Sequence, residues 1–207
     1  MSAAPGIRAV YWDMGGVIIR TLDQAPRQRL AARLGTTRQA LNGLVFASEI
    51  GQQVQLGQAS IARLWEHVGQ TFGLSPEALA AFQQDFWGGD RLDRELVDFI
   101  RSLRPHTLTG VISNGWPDLR ENLRTRWGIT ETFDTIVVSA EAGVMKPDPQ
   151  IYWLALERLN LQPAQAVFVD DFIDNVEGAR RVGMLAVHFR DPQQARAEVE
   201  ATLNGHD

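Results

Sequence analysis

The sequence predicts an α/β fold: a doubly wound parallel sheet of five strands, with a bundle of helices inserted after the first strand. Five short, nearly continuous apolar runs punctuate the chain, and helical patterns separate the later runs. Continuous apolar strands are typical of parallel sheets covered on both faces, and strand–helix alternation is typical of doubly wound folds. The interval from about 21 to 92 contains no convincing strand, which predicts the inserted helices.

The first strand, IRAVYW at 7–12, precedes this helical interval. Ile61, Leu64, Trp65 and Val68 illustrate its pattern, since they fall on one face of a helix. Helices are predicted over 24–34, 37–47, 59–72 and 76–86, and a further one over 94–104 after a glycine pair. The chain is therefore expected to form a Rossmann-like catalytic core from residues 1–20 and 93–207, and a helical cap from residues 21–92.

The remaining strands and helices follow in alternation. The predicted strands are TLTGVIS (107–113), TIVVS (135–139), AVFVD (166–170) and MLAVHF (184–189). Helices are predicted over 117–127, 149–160, 173–182 and 192–203. Proline begins three of these helices and glycine follows the other, as is usual at helix boundaries.

The composition excludes several classes of function. The chain has 207 residues and no cysteine, which excludes disulfides, thiolate metal sites and cysteine nucleophiles. Its net charge of −5 argues against nucleic acid or an anionic membrane as a partner. The N-terminal residues lack the pattern of a secretory signal, and no window has the length of a membrane span. We therefore expect a cytoplasmic protein, and no feature indicates an oligomeric state.

Polar side chains follow four of the predicted strands. They are Asp13 after the first strand, Ser113 and Asn114 after the second, Lys146 after the third, and Asp170 and Asp171 after the fourth. In an open parallel sheet, ligands bind beyond the carboxyl ends of the strands, near the point where the strand order reverses. We therefore expect these side chains to converge, although each alone would also be typical of a turn, a helix cap or a solvated surface.

Such a set suits phosphoryl transfer. Carboxylates can hold Mg²⁺, which also takes a phosphate oxygen, while a lysine and a hydroxyl orient and neutralise the phosphoryl group. Asp13 could attack phosphorus and form an aspartyl-phosphate. Lys146 is the only lysine among twenty basic residues, which suggests that a compact ammonium is required there. A small phosphorylated molecule is the expected substrate.

The segments VYWDMGGVI, GVISN, VMKPDPQIY and VFVDDFIDNVEGARRVGM resemble those of the haloacid dehalogenase-like hydrolases. The resemblance extends over nearly the whole chain and is to the branch with a small helical cap. It implies that Asp13 is the nucleophile and a metal ligand, with the Gly15 carbonyl and Asp171 as further ligands of Mg²⁺. It also implies that Ser113, Asn114 and Lys146 bind the phosphoryl group, and that Asp170 is a direct or indirect partner of the metal.

Gly15 departs from the pattern of the family's phosphatases, most of which carry an acid–base aspartate there. A similar branch with glycine at this place includes sugar-phosphate phosphatases, so a sugar phosphate is the favoured substrate. Asp23, Glu49 and His67 are candidate replacements for the missing group. Trp116, which closely follows Ser113 and Asn114, is the tryptophan most expected to line the substrate cleft, whereas Trp65 is expected in the core and Trp87 at a hinge.

Two alternatives stay open. A 2-haloacid dehalogenase also lacks an aspartate at position 15, but it needs no metal and does not keep paired acids after the fourth strand. A phosphate- or metal-binding module without turnover is the other alternative, and Gly15 is its support. Retention of Asp13, Lys146 and the acid pair favours the phosphatase.

Overall fold

A computed structural model describes residues 6–205 of the chain. Residues 1–5 and 206–207 lie outside the described residues. Both segments belong to the predicted core, and residues 1–5 belong to the N-terminal segment in which the sequence shows no secretory signal. The strands are β1 (Ala9–Trp12), β2 (Ile19–Thr21), β3 (Asp90–Leu92), β4 (Leu108–Ser113), β5 (Thr135–Val138), β6 (Ala166–Asp170) and β7 (Leu185–His188).

The helices lie largely where the periodicity places them. They are α1 (Ala25–Arg33), α2 (Arg38–Asn42), α3 (Glu49–Gln55), α4 (Ile61–Phe72), α5 (Pro76–Trp87), α6 (Arg94–Ser102), α7 (Leu119–Thr125), α8 (Ser139–Ala142), α9 (Pro149–Arg158), α10 (Ile173–Arg181) and α11 (Pro192–Asn204). A π-helix covers Gly43–Ala47, and short 3₁₀ turns cover Thr130–Thr132 and Pro163–Gln165. No helix in the described part of the chain combines the length and the apolar character needed to cross a bilayer.

The five long strands form one parallel sheet in the order β5-β4-β1-β6-β7. The chain leaves β1 toward one edge and later returns to β6 on its other side, so the strand order reverses next to β1. Ligands of open α/β sheets bind at such a reversal, beyond the carboxyl ends of the strands. The fold predicted from the sequence is confirmed, and the end of β1 is the place to look for a site.

Both faces of the sheet are covered, as the continuous apolar strands predict. In β1, Val10 and Trp12 join a core cluster that includes residues of α6, α7 and α11. Ala9 and Tyr11 point to the opposite face and join a cluster with residues of α9 and α10. Alternate residues of a strand face opposite sides of the sheet. The full burial of all four side chains therefore shows that both faces are covered.

The interval after β1 folds as helices around an apolar cluster of their own, which includes Leu30, Leu64 and Phe86. An antiparallel ribbon of β2 and β3 joins this helical cap to the rest of the chain; β2 crosses the predicted domain boundary at 20/21, and β3 ends at the boundary at 92/93. The division into two domains at these positions stays a prediction.

Several local features differ from the predicted elements, among them the unpredicted four-residue helix α8. The helix expected over 37–47 is split into α2 and the π-helix. The next residue, Ser48, caps the unpredicted helix α3 by accepting a hydrogen bond from the N–H of Gly51. The three-residue strands of the ribbon were also unpredicted, because so short a segment has too few positions for a period to show.

The cap also contacts the core away from the ribbon. The hydroxyl of Ser139, in the first turn of α8, donates a hydrogen bond to the carbonyl of Gln55 at the end of α3 (2.6 Å). Gly57 packs against the Ala140 carbonyl so closely that a Cβ atom there would lie 2.2 Å from the oxygen. These contacts fix α3 against the sheet edge that carries the site.

Candidate active site

A buried lysine lies at the centre of the polar cluster beyond β1. The ammonium of Lys146 donates hydrogen bonds to Asp13 Oδ1 (2.5 Å), Asp170 Oδ2 (2.7 Å) and the main-chain carbonyl of Ile112 (2.8 Å). Only 2% of Lys146 is exposed. An ammonium has three N–H donors, so these acceptors use all of them. Burial alone would lower the pKa of Lys146, but the charges of Asp13 and Asp170 outweigh it and raise the pKa, which keeps the group protonated.

Asp170 is surrounded by donors. Its Oδ1 accepts from the main-chain N–H of Phe172 (2.7 Å), its Oδ2 from Lys146 (2.7 Å), and the Asn175 amide lies 3.1 Å from each oxygen. A carboxylate offers about four lone-pair sites, and these contacts occupy them. The residue is fully buried. Asp170 therefore holds Lys146 in position and has little capacity left for a metal.

Asp171 is the opposite case. Its Oδ1 is buried and has no hydrogen-bond partner among the described residues. Burial and the charge of Asp170 raise the pKa of Asp171 to about 6. Burial, followed by the charges of Asp170 and Asp171, raises the pKa of Asp13 to about 7, although Lys146 opposes the rise. Unpaired buried carboxylates are unfavourable unless a cation is near.

The three carboxylates are close enough to share one cation. One oxygen from each of Asp13, Asp170 and Asp171 lies within 4.8 Å of the other two. With Lys146 protonated and the acids ionised, three negative charges and one positive charge leave the cluster at −2. A divalent ion of the hard, oxygen-preferring type would balance that charge. The donor set, the charge and the unpaired Asp171 oxygen thus fit Mg²⁺.

Two glycines that follow Asp13 in the chain differ in their surroundings. Gly16 has a φ of +86°, and a Cβ atom there would lie 2.3 Å from Asp171 Oδ2, so only glycine fits against the acid pair. Gly15 is exposed, and a Cβ atom there would meet nothing within 4 Å. Space for a larger side chain therefore exists at position 15, and the missing acid is not a consequence of crowding.

The loop after β4 brings two further predicted residues to the site. Ser113 is buried at the end of β4. The side chain of Asn114 donates to the Lys146 carbonyl (2.9 Å) and accepts from the Lys146 N–H (2.7 Å). The observed contacts of Asn114 therefore hold the lysine backbone, and its predicted direct contact with a phosphoryl group stays a prediction.

Trp116 lies at the junction of the core and the cap. Its ring centroid lies 5.7 Å from that of Trp65, 5.5 Å from that of Trp87 and 6.1 Å from that of Phe46. The three tryptophans, to which the sequence assigned separate places, thus share one aromatic cluster. All four rings are half-buried.

Asp23, Glu49 and His67 are the candidates for the missing acid–base group. In the described chain, no hydrogen bond joins any of them to the acid cluster. Asp23 accepts from the N–H of Ala25 in the first turn of α1, and Glu49 accepts from the side chain of Gln53. His67 lies half-buried in α4. Their contacts are local to the cap and its entrance.

Two contacts of the charged cluster, one with Lys146 and one with Asp171, were not predicted from the sequence. The Ile112 carbonyl binds Lys146 through its backbone, which no side-chain pattern reveals. His188, at the end of β7, places its Nε2 3.0 Å from the Asp171 carbonyl. The position of His188 at the carboxyl end of β7 could have suggested this contact, since ligands of such sheets bind beyond the carboxyl ends of the strands.

Comparison with known proteins agrees with this geometry. A family model described as haloacid dehalogenase-like hydrolase matches residues 7–183. The chain is 28% identical to a sesquiterpene phosphatase of Aspergillus oryzae over 89% of its own length and 90% of that protein. It is 38% identical to a glyceraldehyde 3-phosphate phosphatase of Methanopyrus kandleri, but over only 39% of its length and 35% of that protein. The other curated relatives described also share half or less of their length with it.

Among solved structures, a haloacid dehalogenase-family enzyme of Bacteroides thetaiotaomicron, crystallised with magnesium and inorganic phosphate, superposes with a TM-score of 0.73. The two chains are 20% identical, and the match covers 89% of this chain and 95% of the other. At that identity, the likeness concerns the fold.

Proposed function

This chain belongs to the haloacid dehalogenase-like hydrolases, and on that premise we propose that it is a Mg²⁺-dependent phosphatase acting on a small phosphate monoester. The observation that carries the proposal is the ammonium of Lys146, held between Asp13 and Asp170 at the reversal of the sheet. The site combines a nucleophile, a fixed positive charge and unpaired carboxylate oxygen, which are the components that phosphoryl transfer to aspartate requires.

Asp13, Asp171 and the carbonyl of Gly15 would hold the Mg²⁺. When bound, the ion supplies positive charge to the phosphoryl oxygens during transfer. Asp170 would act through Lys146 because its own oxygens are engaged by Lys146, Asn175 and the N–H of Phe172. Of the two adjacent acids, Asp171 would therefore bind the ion and Asp170 would position the ammonium of Lys146.

Asp13 would attack phosphorus with the oxygen that Lys146 does not bind. The new bond joins this oxygen to phosphorus while the ester bond breaks and its electron pair leaves on the alcohol oxygen. Water then attacks the aspartyl-phosphate, which releases inorganic phosphate and returns Asp13 to a carboxylate. Ser113 would orient the phosphoryl group, while Lys146, whose three donors are engaged, would stabilise the negative charge of that group and limit the rise in the pKa of Asp13.

The alcohol oxygen needs a proton that Gly15 has no side chain to supply. We propose that water enters through the open space at Gly15 and provides this proton, since a side chain at that position would meet no atom within 4 Å. Asp23, Glu49 and His67 have no hydrogen bond to the acid cluster among the described residues, so none of them is favoured over water in this geometry.

The dehalogenase alternative is less well supported. A halide leaves without a proton, which would suit Gly15, but three clustered carboxylates have no use in that reaction and repel one another without a cation. The sequence favours a sugar phosphate as the substrate. The two curated relatives compared above carry the names of a sesquiterpene phosphatase and of a glyceraldehyde 3-phosphate phosphatase. Their names therefore do not choose between an apolar and a polar substrate.

The test is phosphate release from p-nitrophenyl phosphate with and without Mg²⁺. We expect turnover that EDTA abolishes and excess Mg²⁺ restores, and that Asp13→Asn removes. Asp98→Asn, which makes the same change on an exposed helix, is the control and should keep full activity. Chloride release from 2-chloropropionate in EDTA would instead establish the dehalogenase, and Mg²⁺ binding without turnover on any phosphate ester would establish a binding module.

A further inference from the structure

The aromatic cluster next to the phosphate site combines residues of the cap with one residue of the core. Phe46 comes from the π-helix, Trp65 from α4 and Trp87 from α5, whereas Trp116 comes from the loop after β4. Each of the three cap rings lies between 5.5 and 6.1 Å from the ring of Trp116. The cluster therefore bridges the two parts of the protein.

Trp116 connects this cluster to the candidate active site along the chain. It follows Ser113 by three residues, so their Cα atoms lie within about 11 Å of each other. Gly115, between them, has its carbonyl 3.3 Å from the hydroxyl of Ser139, which also binds Gln55 of the cap. The contact fixes the loop between the phosphate site and the aromatic rings. The cluster therefore lies within reach of the alcohol portion of a phosphate ester bound at Ser113.

The chemistry of the cluster selects against a sugar. The indole N–H groups of Trp65, Trp87 and Trp116 are its only polar side-chain atoms, and an indole is a donor without an acceptor. The hydroxyl hydrogens of a sugar would find no acceptor on these rings, and burying them unpaired is unfavourable. The rings are half-buried, so apolar surface is still available for contact.

We infer that the four rings bind the apolar alcohol portion of the substrate, so that the enzyme prefers phosphate monoesters of hydrocarbon alcohols over sugar phosphates. The inference rests on the proposed phosphatase function and narrows its substrate class. It departs from the sugar phosphate that the sequence favours. Apolar surface removed from water contributes roughly in proportion to its area, so longer chains should bind more tightly until the cluster is covered.

The experiment compares butyl, octyl and dodecyl phosphate with glucose 6-phosphate, using acetyl phosphate to report transfer to Asp13 alone. The alkyl esters share one leaving-group chemistry, so a difference among them reports contact with the chain. We expect kcat/KM to rise with chain length by up to about fourfold per methylene, mainly through KM. Octyl phosphate should exceed glucose 6-phosphate by about tenfold or more, as expected for a well-packed apolar contact.

Variants of the cluster then test its role. Trp116→Ala should reduce the ratio of kcat/KM for octyl phosphate to that for acetyl phosphate by about tenfold, and Trp116→Phe should retain most of it because an apolar ring remains. Trp65→Ala provides a second truncation if the first does not fold. Trp153→Ala, which removes an exposed indole on α9, should leave the ratio unchanged.

The outcomes separate the two proposals. Hydrolysis of acetyl phosphate with glucose 6-phosphate preferred over octyl phosphate would overturn the inference and leave the phosphatase standing. A wild-type preference for chain length that neither Trp116→Ala nor Trp65→Ala reduces would also overturn it, since the rings would then only join cap and core. Failure to hydrolyse acetyl phosphate with Mg²⁺ would overturn the phosphatase and the inference together.

Discussion

Replacing Gly15 with aspartate tests whether the site lacks only a proton donor. A Cβ atom at Gly15 meets nothing within 4 Å, and its φ lies outside the left-handed region, so the side chain should fit with little strain. General acid–base catalysis typically contributes about 10²–10⁴-fold. An acid introduced without supporting contacts should fall short of that range and give about tenfold, which corresponds to about 1.4 kcal/mol of activation free energy.

The gain should depend on the leaving group. An alkoxide must be protonated as it departs, whereas p-nitrophenolate leaves without a proton. We therefore expect Gly15→Asp to raise kcat/KM for octyl phosphate by about tenfold and for p-nitrophenyl phosphate by less than about threefold. Steady-state kinetics with both substrates at saturating Mg²⁺ provides the measurement.

Two matched variants keep this experiment decisive. Gly15→Asn adds a side chain of the same size without an acid and should give no gain. Gly16→Ala, one residue later, should lower activity and stability, because its Cβ would lie 2.3 Å from Asp171 Oδ2 and its φ of +86° disfavours a side chain. Equal gains on the two substrates, or an equal gain from Gly15→Asn, would refute the missing-donor argument.

Three other predictions concern the charged cluster. Lys146→Met should lower the free energy of unfolding by about 3–5 kcal/mol in urea denaturation, because it leaves two buried carboxylates facing each other; an unchanged value would contradict the ion pairs. In the metal-free protein, the unfolding temperature should fall as pH rises from about 4 to 7 and then level off, because over that range the folded state still holds protons on Asp13 (pKa about 7) and Asp171 (pKa about 6) that the unfolded state has already lost. Saturating Mg²⁺ should abolish that fall, and Asp13→Asn should reduce it. Asn175→Ala should lower kcat for p-nitrophenyl phosphate by about tenfold at saturating Mg²⁺, because the amide orients Asp170, which positions Lys146; the exposed Asn204→Ala should not.

The parts of the fold that the sequence predicts are those with a long enough pattern. The five apolar runs each appear as a strand of four to six residues, largely buried in all but the edge strand β7, and α4 shows its apolar face clearly. The π-helix at Gly43–Ala47 is different, since its wider turn depends on contacts that the cap forms only when folded. Its residue Phe46 belongs to the aromatic cluster, so an irregular backbone segment accompanies a proposed binding surface.

The site also has parts that the sequence predicts and parts that depend on folded contacts. The sequence places Asp13, Lys146 and the acid pair at strand ends, because the carboxyl ends of parallel strands meet at one edge. It gives no indication of which acid carries which partner. Adjacent residues of a strand and its following loop point in different directions, so Asp170 faces Lys146 and Asn175 while the Asp171 Oδ1 atom has no partner in the described chain. That distinction depends on side-chain directions, which residue order alone does not determine.

The single lysine of the chain illustrates how composition and geometry connect. Its three acceptors come from three separate strands or their ends, Asp13 after β1, the Ile112 carbonyl within β4 and Asp170 at the end of β6. An ammonium directs its three donors away from one atom and can reach all three acceptors at once, whereas a guanidinium spreads five donors in a plane. The centroid of the Phe168 ring lies 5.2 Å from the Lys146 nitrogen, and only 2% of Lys146 is exposed. There is therefore no room for a guanidinium, which is larger and planar. In a chain where nineteen other basic residues are arginine, the site alone requires lysine because it demands a small cation at the meeting point of three strands.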